Sequence, residues 1–351
     1  MKKALLIIAV MLGSMNAFAQ NLDKNEAKQL KTFLTESAKE GTNASALKVV
    51  DPNAVGLIEG VTVENGHVTA IDWKDKKLGG TLNLSGFKYL KKVDVSRNEL
   101  TAVNVAGCAA LTDLNAGRNK LSDIDLTGCS QLQDLAVYKN RLTDISLEGA
   151  PLLKKLNVSN NLFVDLNLSN SYNLVTLNCQ GCHLENLNVS GCTALKNLYC
   201  GYNKLTSVML SGVENLQNLN IDDNEISTFI VSGLPTLASL ICTDNNMVTL
   251  GVRDCPNLLD LVCSYNDLTS LSVEGCTNLQ YVDCCYNDLT QLVLSNQTFL
   301  QRLICNNNQL QMLDVSFDQA LTYVNCRYNQ ITDFRTVGCN NLRMVACQWN
   351  Y

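Results

Sequence analysis

Leucine recurs every 21 residues along most of this 351-residue chain, at Leu90, Leu111, Leu132, Leu153, Leu174, Leu195, Leu216, Leu237, Leu258, Leu279, Leu300, Leu321 and Leu342, with no slip of register. A fixed period of this length marks a stack of similar supersecondary units. With each unit numbered from position 0 at that leucine, position 3 is again Leu or Val, from Val93 to Val345. Position 8 is Asn98, Asn119, Asn140, Asn161, Asn203, Asn224, Asn245, Asn266, Asn287, Asn308, Asn329 or Asn350, and the one exception is Cys182.

A short strand and its turn cannot bury an apolar side alone, so copies must lie edge to edge and share one continuous core. In the strand, alternate side chains face inward and outward. An asparagine at the strand exit can satisfy backbone groups of the adjoining turns that would otherwise be buried unpaired, and its repetition predicts a structural ladder. Position 17 is mostly glycine, with Asn170, Asn296 and Asp254 as substitutes and Phe317 as the outlier, which points to a left-handed turn residue. Twenty-one residues leave no room for a full helix in each unit.

The unit L-x-x-L-x-(C/V/A/I)-x-x-N-x-L-T-x-L-x-V-S-G-C-x-x resembles the leucine-rich repeat over residues 68–351. The resemblance implies a β-rich solenoid, a right-handed superhelix with a parallel concave sheet. Short extended or 3₁₀ segments are expected on the convex side, centred on triplets such as Leu187-Asn188-Val189. Residues 61–84 read as a β-hairpin turning at Asn65-Gly66 and leading into a degenerate first rung, 68–89. Val68 precedes Leu90 by 22 residues, a slightly altered register. Residues 24–40 place Ala27, Leu30 and Leu34 at helical spacing. The expected order is therefore a helix and hairpin cap over 20–67, twelve full units over 90–341 and a partial unit over 342–351, with Trp349 and Tyr351 folded over the core or the last rung exposed as a homodimer surface.

The first 19 residues have two lysines, an apolar stretch from Ala4 to about Leu12, and small residues at Ala17 and Ala19, the pattern of a secretory signal peptide with Gln20 as the mature terminus. No cysteine precedes Cys108, so no lipid anchor on an N-terminal cysteine is expected. The localisation expected is secreted, periplasmic or cell surface. No apolar run reaches the length of a membrane span, and the formal charge of −6 has the wrong sign for a chain that neutralises phosphates, so nucleic acid is not an expected partner.

Sixteen cysteines in an exported chain suggest disulfides, but their spacing argues against them. Eight occupy position 5, from Cys179 to Cys347, and six occupy position 18, from Cys108 to Cys339. In-register parallel strands hold equivalent atoms about 4.8 Å apart, beyond the Cβ separation a disulfide prefers. They read as small buried apolar residues, a cysteine ladder similar to that of internalin-like repeats. Cysteines lining a column without histidine offer no zinc tetrahedron, and no metal or cofactor is expected. Cys285 reads as an outward, exposed thiol.

Positions 2, 4, 6 and 7 should face outward on the concave side. Eight of the eleven tyrosines fall there: Tyr138, Tyr199, Tyr202, Tyr265, Tyr281, Tyr286, Tyr323 and Tyr328, with Trp349 continuing the position-7 column. Aromatics at regular spacing supply rigid contact area with a polar tip, suited to protein hot spots and to sugar stacking; as plain strand-surface residues they would carry no function. On the same face Lys92, Arg97, Arg118, Lys139 and Lys155 mix with acids early in the array, whereas Asp222, Asp223, Asp244 and Asp260 follow later. The trio Asp222, Asp223 and Asp244 reads as a solvated acidic patch ahead of a calcium site. His67 and His183 stand beside no recognisable nucleophile, so no enzyme is expected. The expected function is recognition of an extracellular or envelope protein, or a glycan, through the tyrosine-rich face, as an internalin-like adhesin. The alternative is a self-associating structural component of the envelope.

Overall fold

The computed structural model describes residues 22–51, 58–294 and 297–350. The signal-peptide segment, Gln20, Asn296 and Tyr351 lie outside the described residues. The chain divides into two compact units, Met1–Phe163 and Val164–Tyr351.

In the first unit, helix α1 (Lys24–Thr35) starts at Asp23, whose Oδ1 accepts from the backbone N–H of Asn25 and Glu26, the usual N-terminal cap for otherwise unpaired donors. Its Leu30, Phe33 and Leu34 are buried, and Phe33 stacks on Trp73 with ring centroids 5.6 Å apart. The one-turn helix α2 (Asn43–Ala46) brings in Asn43, which is fully buried and exchanges hydrogen bonds with the backbone of Gly79 while donating to Phe33. Strands β1 (Val61–Glu64) and β2 (His67–Asp72) pair antiparallel around Asn65 and Gly66, both at positive φ (51° and 78°), as a type I′ hairpin turn requires. β2 then pairs in parallel with Lys92–Asp94, Ile71 opposite Val93, which accounts for the 22-residue first spacing. From there Asp113–Asn115, Asp134–Ala136 and Lys155–Asn157 follow at 21 residues.

In the second unit, nine described three-residue strands, Thr176–Asn178 through Met344–Ala346, form one parallel sheet with every partner 21 residues on. Strands of three residues are too short to be stable singly; the stacked leucines behind them hold the sheet together. The thirteen position-0 leucines are buried except Leu342, which is half-buried. The opposite side of the rungs carries short extended pieces such as Asn186–Asn188, paired with Asp165–Asn167, and Thr228–Ser232, paired with Thr249–Arg253. The three-residue pieces centre on position 13, one residue before the expected triplet centre, the five-residue pieces centre on position 14 as expected, and the described residues include no 3₁₀ segment.

The position-8 asparagines each join two rungs. Asn266 Nδ2 donates to the carbonyls of Cys242 (3.0 Å) and Cys263 (3.2 Å), and its Oδ1 accepts from Met247 N (3.1 Å). Each of the twelve repeats this scheme, from Asn98, which reaches Trp73, Val95 and Leu78, to Asn350, which reaches Cys326, Cys347 and Ile331. At position 17, Gly107, Gly128, Gly191, Gly212, Gly233, Gly275 and Gly338 have positive φ, as do Asp254 and Phe317; Gly149 and Asn170 do not. Phe317 therefore takes the left-handed conformation despite its side chain.

All sixteen cysteines are free thiols, buried apart from the half-buried Cys339 and the exposed Cys347. Burial raises the thiols of Cys242, to about 12, and of Cys263 and Cys305, well above the ordinary value, so these position-5 side chains pack as neutral apolar groups. At position 18, Cys108, Cys129, Cys192, Cys276 and Cys339 direct their sulfur at a carbonyl of the preceding rung, as Cys276 does at Val252 O (3.3 Å).

Candidate recognition face

Position 7 has positive φ in every rung, from Arg97, Arg118, Lys139 and Asn160 through Gly181, Tyr202, Asp223, Asp244, Tyr265, Tyr286, Asn307 and Tyr328 to Trp349, all between 48° and 64°. The N–H there donates to position 6 of the following rung: Tyr265 to Cys285 O and Tyr286 to Asn306 O, both at 3.0 Å. The chain thus leaves the strand by a left-handed residue that points its side chain outward beside the sheet. A non-glycine residue at such φ sacrifices about 1 kcal/mol. Tyrosine four times and tryptophan once at this position are not explained by strand preference, because the residue is no longer in the strand. Sequence reasoning missed this constraint. The signal was present in Asn160, Gly181, Asp223, Asp244 and Asn307, residue types that tolerate left-handed backbone, but was diluted by the rest of the column.

None of the face aromatics is buried. Tyr202 (57% exposed), Tyr265, Tyr286, Tyr328 and Trp349 (71%) project most; Tyr138, Tyr199, Tyr281 and Tyr323 are half-buried. Tyr138, in the first unit, lies with its ring over Gly117, where a Cβ would collide with it. In the second unit two columns form. Along position 7, Tyr265 stacks on Tyr286 (centroids 4.6 Å, planes 9° apart) and Tyr328 on Trp349 (5.8 Å, 6°), with Asn307 on the rung between the two pairs. Along position 2, the Arg302 guanidinium lies over both Tyr281 (5.9 Å) and Tyr323 (4.7 Å), a cation held between two rings.

Asp283 accepts from the Tyr281 hydroxyl at 3.1 Å, and burial followed by the nearby Asp283 charge pushes that phenol up to about 12. Asp222 raises Tyr202 in the same way. Both phenols therefore remain neutral donors at neutral pH. Asp222 fits beside Gly201, where any side chain would strike its carboxylate, and burial raises its pKa. Among the described residues no group of three or more His, Cys, Asp or Glu side chains could hold a metal ion.

Cys285 is not the exposed thiol expected from its outward position. It is buried, 8% exposed, and its thiol is pushed up to about 12 by burial and by its contact with Asp283. Neighbouring rungs close over a small side chain at position 6. With a thiol reagent under native conditions, Cys285 is expected to react no faster than buried Cys263, with exposed Cys347 as the fast reference; rapid labelling of Cys285 in a peptide map would contradict this.

No family model and no curated protein sequence matches the chain. Solved structures do. The functional domain of InlJ from Listeria monocytogenes, which includes a cysteine ladder, matches at TM-score 0.55 and 25% identity over 78% of this chain and 56% of that one. This chain thus spans little more than half of that structure. An internalin, InlF, from Listeria monocytogenes matches at TM-score 0.63 and 21% identity over 94% of this chain and 96% of that one. YopM from Yersinia enterocolitica matches at TM-score 0.62 and 23% identity, covering 78% and 63%. Register, asparagine ladder and these likenesses together define a leucine-rich repeat protein. Within that class the chain is internalin-like and carries a cysteine ladder of its own. No helix among the described residues is long and apolar enough to cross a membrane.

Proposed function

We propose that this chain is an exported recognition protein, and not an enzyme, that binds a partner protein through the outer sheet face of its second unit. Tyr199, Tyr202, Tyr265, Tyr281, Tyr286, Tyr323, Tyr328 and Trp349 provide the contacts. The N-terminal pattern of a basic start, an apolar stretch and small residues supports export. The observation that carries the binding reading is the placement of Tyr202, Tyr265, Tyr286, Tyr328 and Trp349 at left-handed backbone, at a cost to folding, with all five rings exposed and the last four stacked in two parallel pairs. Rigid aromatics held in place in the free protein lose little entropy on binding, and such residues dominate interface energies.

Affinity capture from extracellular and envelope extracts tests the reading, comparing the intact protein with the quadruple variant Tyr202→Ala, Tyr265→Ala, Tyr286→Ala and Tyr328→Ala. A specific protein retained by the first and lost by the second is the expected result. Equal capture by both would remove the aromatic face from the account. Recovery of a glycan instead would replace the partner class, and recovery only of the chain itself would favour the self-associating alternative.

A further inference from the structure

The two aromatic columns are matched rung for rung. Tyr281, Arg302 and Tyr323 occupy position 2 of three successive rungs, and Tyr286, Asn307 and Tyr328 occupy position 7 of the same three. In the first trio a guanidinium fills the middle place between the rings. In the second the middle place holds a short amide whose side chain makes no hydrogen bond among the described residues, while the flanking rings are braced from behind by Tyr265 and Trp349. Two rungs separate the walls by about 10 Å, comparable to the span that receives Arg302. Position 7 therefore contains an open slot of the kind that the neighbouring column fills with its own arginine.

The surrounding charge selects what enters. On positions 2, 4, 6 and 7 of the six rungs beginning at Leu174 through Leu279 the face carries Asp222, Asp223, Asp244, Asp260 and Asp283 and no lysine or arginine. None of the five is in an ion pair among the described residues; the second unit's ion pairs involve Arg335 with Asp314 and Asp333. The two cations on the following rungs are already engaged, Arg302 by its rings and Arg327 by a 2.5 Å hydrogen bond to Gln348. A neutral planar guest would gain stacking alone, whereas a cation gains stacking and the acidic field. Guanidinium suits the slot better than ammonium because it is planar, weakly hydrated and able to donate to the Asn307 amide while lying between rings.

We propose that the slot between Tyr286 and Tyr328, floored by Asn307, receives an arginine side chain of the partner protein, and that the adjoining acidic rungs take an arginine-bearing segment of that partner. This rests on the recognition reading above and goes further by naming the partner's anchoring group. The probe is a fluorescein-labelled peptide of alternating glycine and arginine with three arginines, measured by anisotropy against the intact protein. Three counterparts replace arginine with lysine, with neutral citrulline and with glutamate.

The arginine peptide should bind, the lysine peptide several-fold more weakly, and the citrulline and glutamate peptides at least tenfold more weakly. Asn307→Arg fills the slot from within the chain and should weaken the arginine peptide tenfold or more. The column already accommodates Arg97 and Arg118 at φ 59° and 58°, so the fold should tolerate it. Tyr328→Ala should weaken binding similarly, and Tyr328→Phe, which retains the ring, should not. Equal binding of the arginine and citrulline peptides, or of the arginine and lysine peptides, overturns the proposal without any change to the protein. Undiminished binding to Asn307→Arg overturns the location. Failure of the peptide to bind while tyrosine-dependent capture persists sinks this inference alone; capture indifferent to the tyrosines sinks the broader reading.

Discussion

Replacing Asn266 with alanine should lower the unfolding free energy by about 2–4 kcal/mol. The side chain donates to Cys242 and Cys263 and accepts from Met247, all buried backbone groups. Both carbonyls are shared with a second asparagine, Cys242 O with Asn245 and Cys263 O with Asn287, so they retain a partner. The Met247 N–H has none left, and a buried unsatisfied donor costs about 1–3 kcal/mol by itself. Because a stacked array is stabilised by contacts between neighbours, the loss should be felt first at that junction. Urea unfolding gives the magnitude, and the Met247 amide should be among the first in its rung to exchange its hydrogen faster. Exposed Asn246→Ala, one residue from Asn245 in the ladder, is the control expected to remain within about 0.5 kcal/mol. If Asn266→Ala matched that control, the ladder would have no energetic role.

The second large effect concerns a place where the repeat departs from its own rule. Six rungs carry cysteine at position 18, but Gln297 and Asp318 hold that position on successive rungs. Both are buried, at 5% and 2% exposed, and neither Gln297 Oε1 nor Asp318 Oδ2 has a hydrogen-bond partner among the described residues. Burial, aided by the charge of Asp314, raises the Asp318 carboxyl from its ordinary 3.8 to about 7. A folded-state value above the unfolded one fixes the sign. The contribution of this group to stability is most favourable below about pH 4, where the carboxyl is protonated whether the chain is folded or not. It then falls as the pH rises through 7, by about 2–4 kcal/mol in all. Asp318→Cys would supply the group used elsewhere at this position, able to donate to the carbonyl of Leu294 as Cys276 does to that of Val252. The variant should be the more stable protein at pH 8 and lose its advantage towards pH 4. Urea midpoints across that range check it; parallel curves for the two proteins would dispose of the buried-acid account.

Sequence periodicity made the stacked rungs legible because the fold repeats one local decision thirteen times, and an isolated ambiguity at one unit is resolved by the others. Leu90 through Leu342, the asparagines and the Asn65-Gly66 turn each follow from burial or backbone conformation that a residue type announces by itself. What escaped was set by neighbouring rungs. Cys285 has the alternation of an outward residue, yet its small side chain is covered by its surroundings. The left-handed state of position 7 is imposed by hydrogen bonding to the next rung, and arginine, tyrosine and tryptophan give no hint of it. The pairing of Tyr265 with Tyr286 was implicit in the 21-residue spacing, but the coplanarity of the rings and the gap at Asn307 needed coordinates. The capture of Arg302 by Tyr281 and Tyr323 likewise joins residue types whose mutual orientation no pattern of letters specifies.

The left-handed exit at position 7 also separates two demands that usually compete. Its conformation is enforced by main-chain atoms, so arginine, aspartate, asparagine, tyrosine and tryptophan all occupy it without altering the register of the rungs. Mutation there can rewrite the molecule's preferences while leaving its architecture untouched, and a lineage carrying this scaffold could change targets one tooth of the comb at a time.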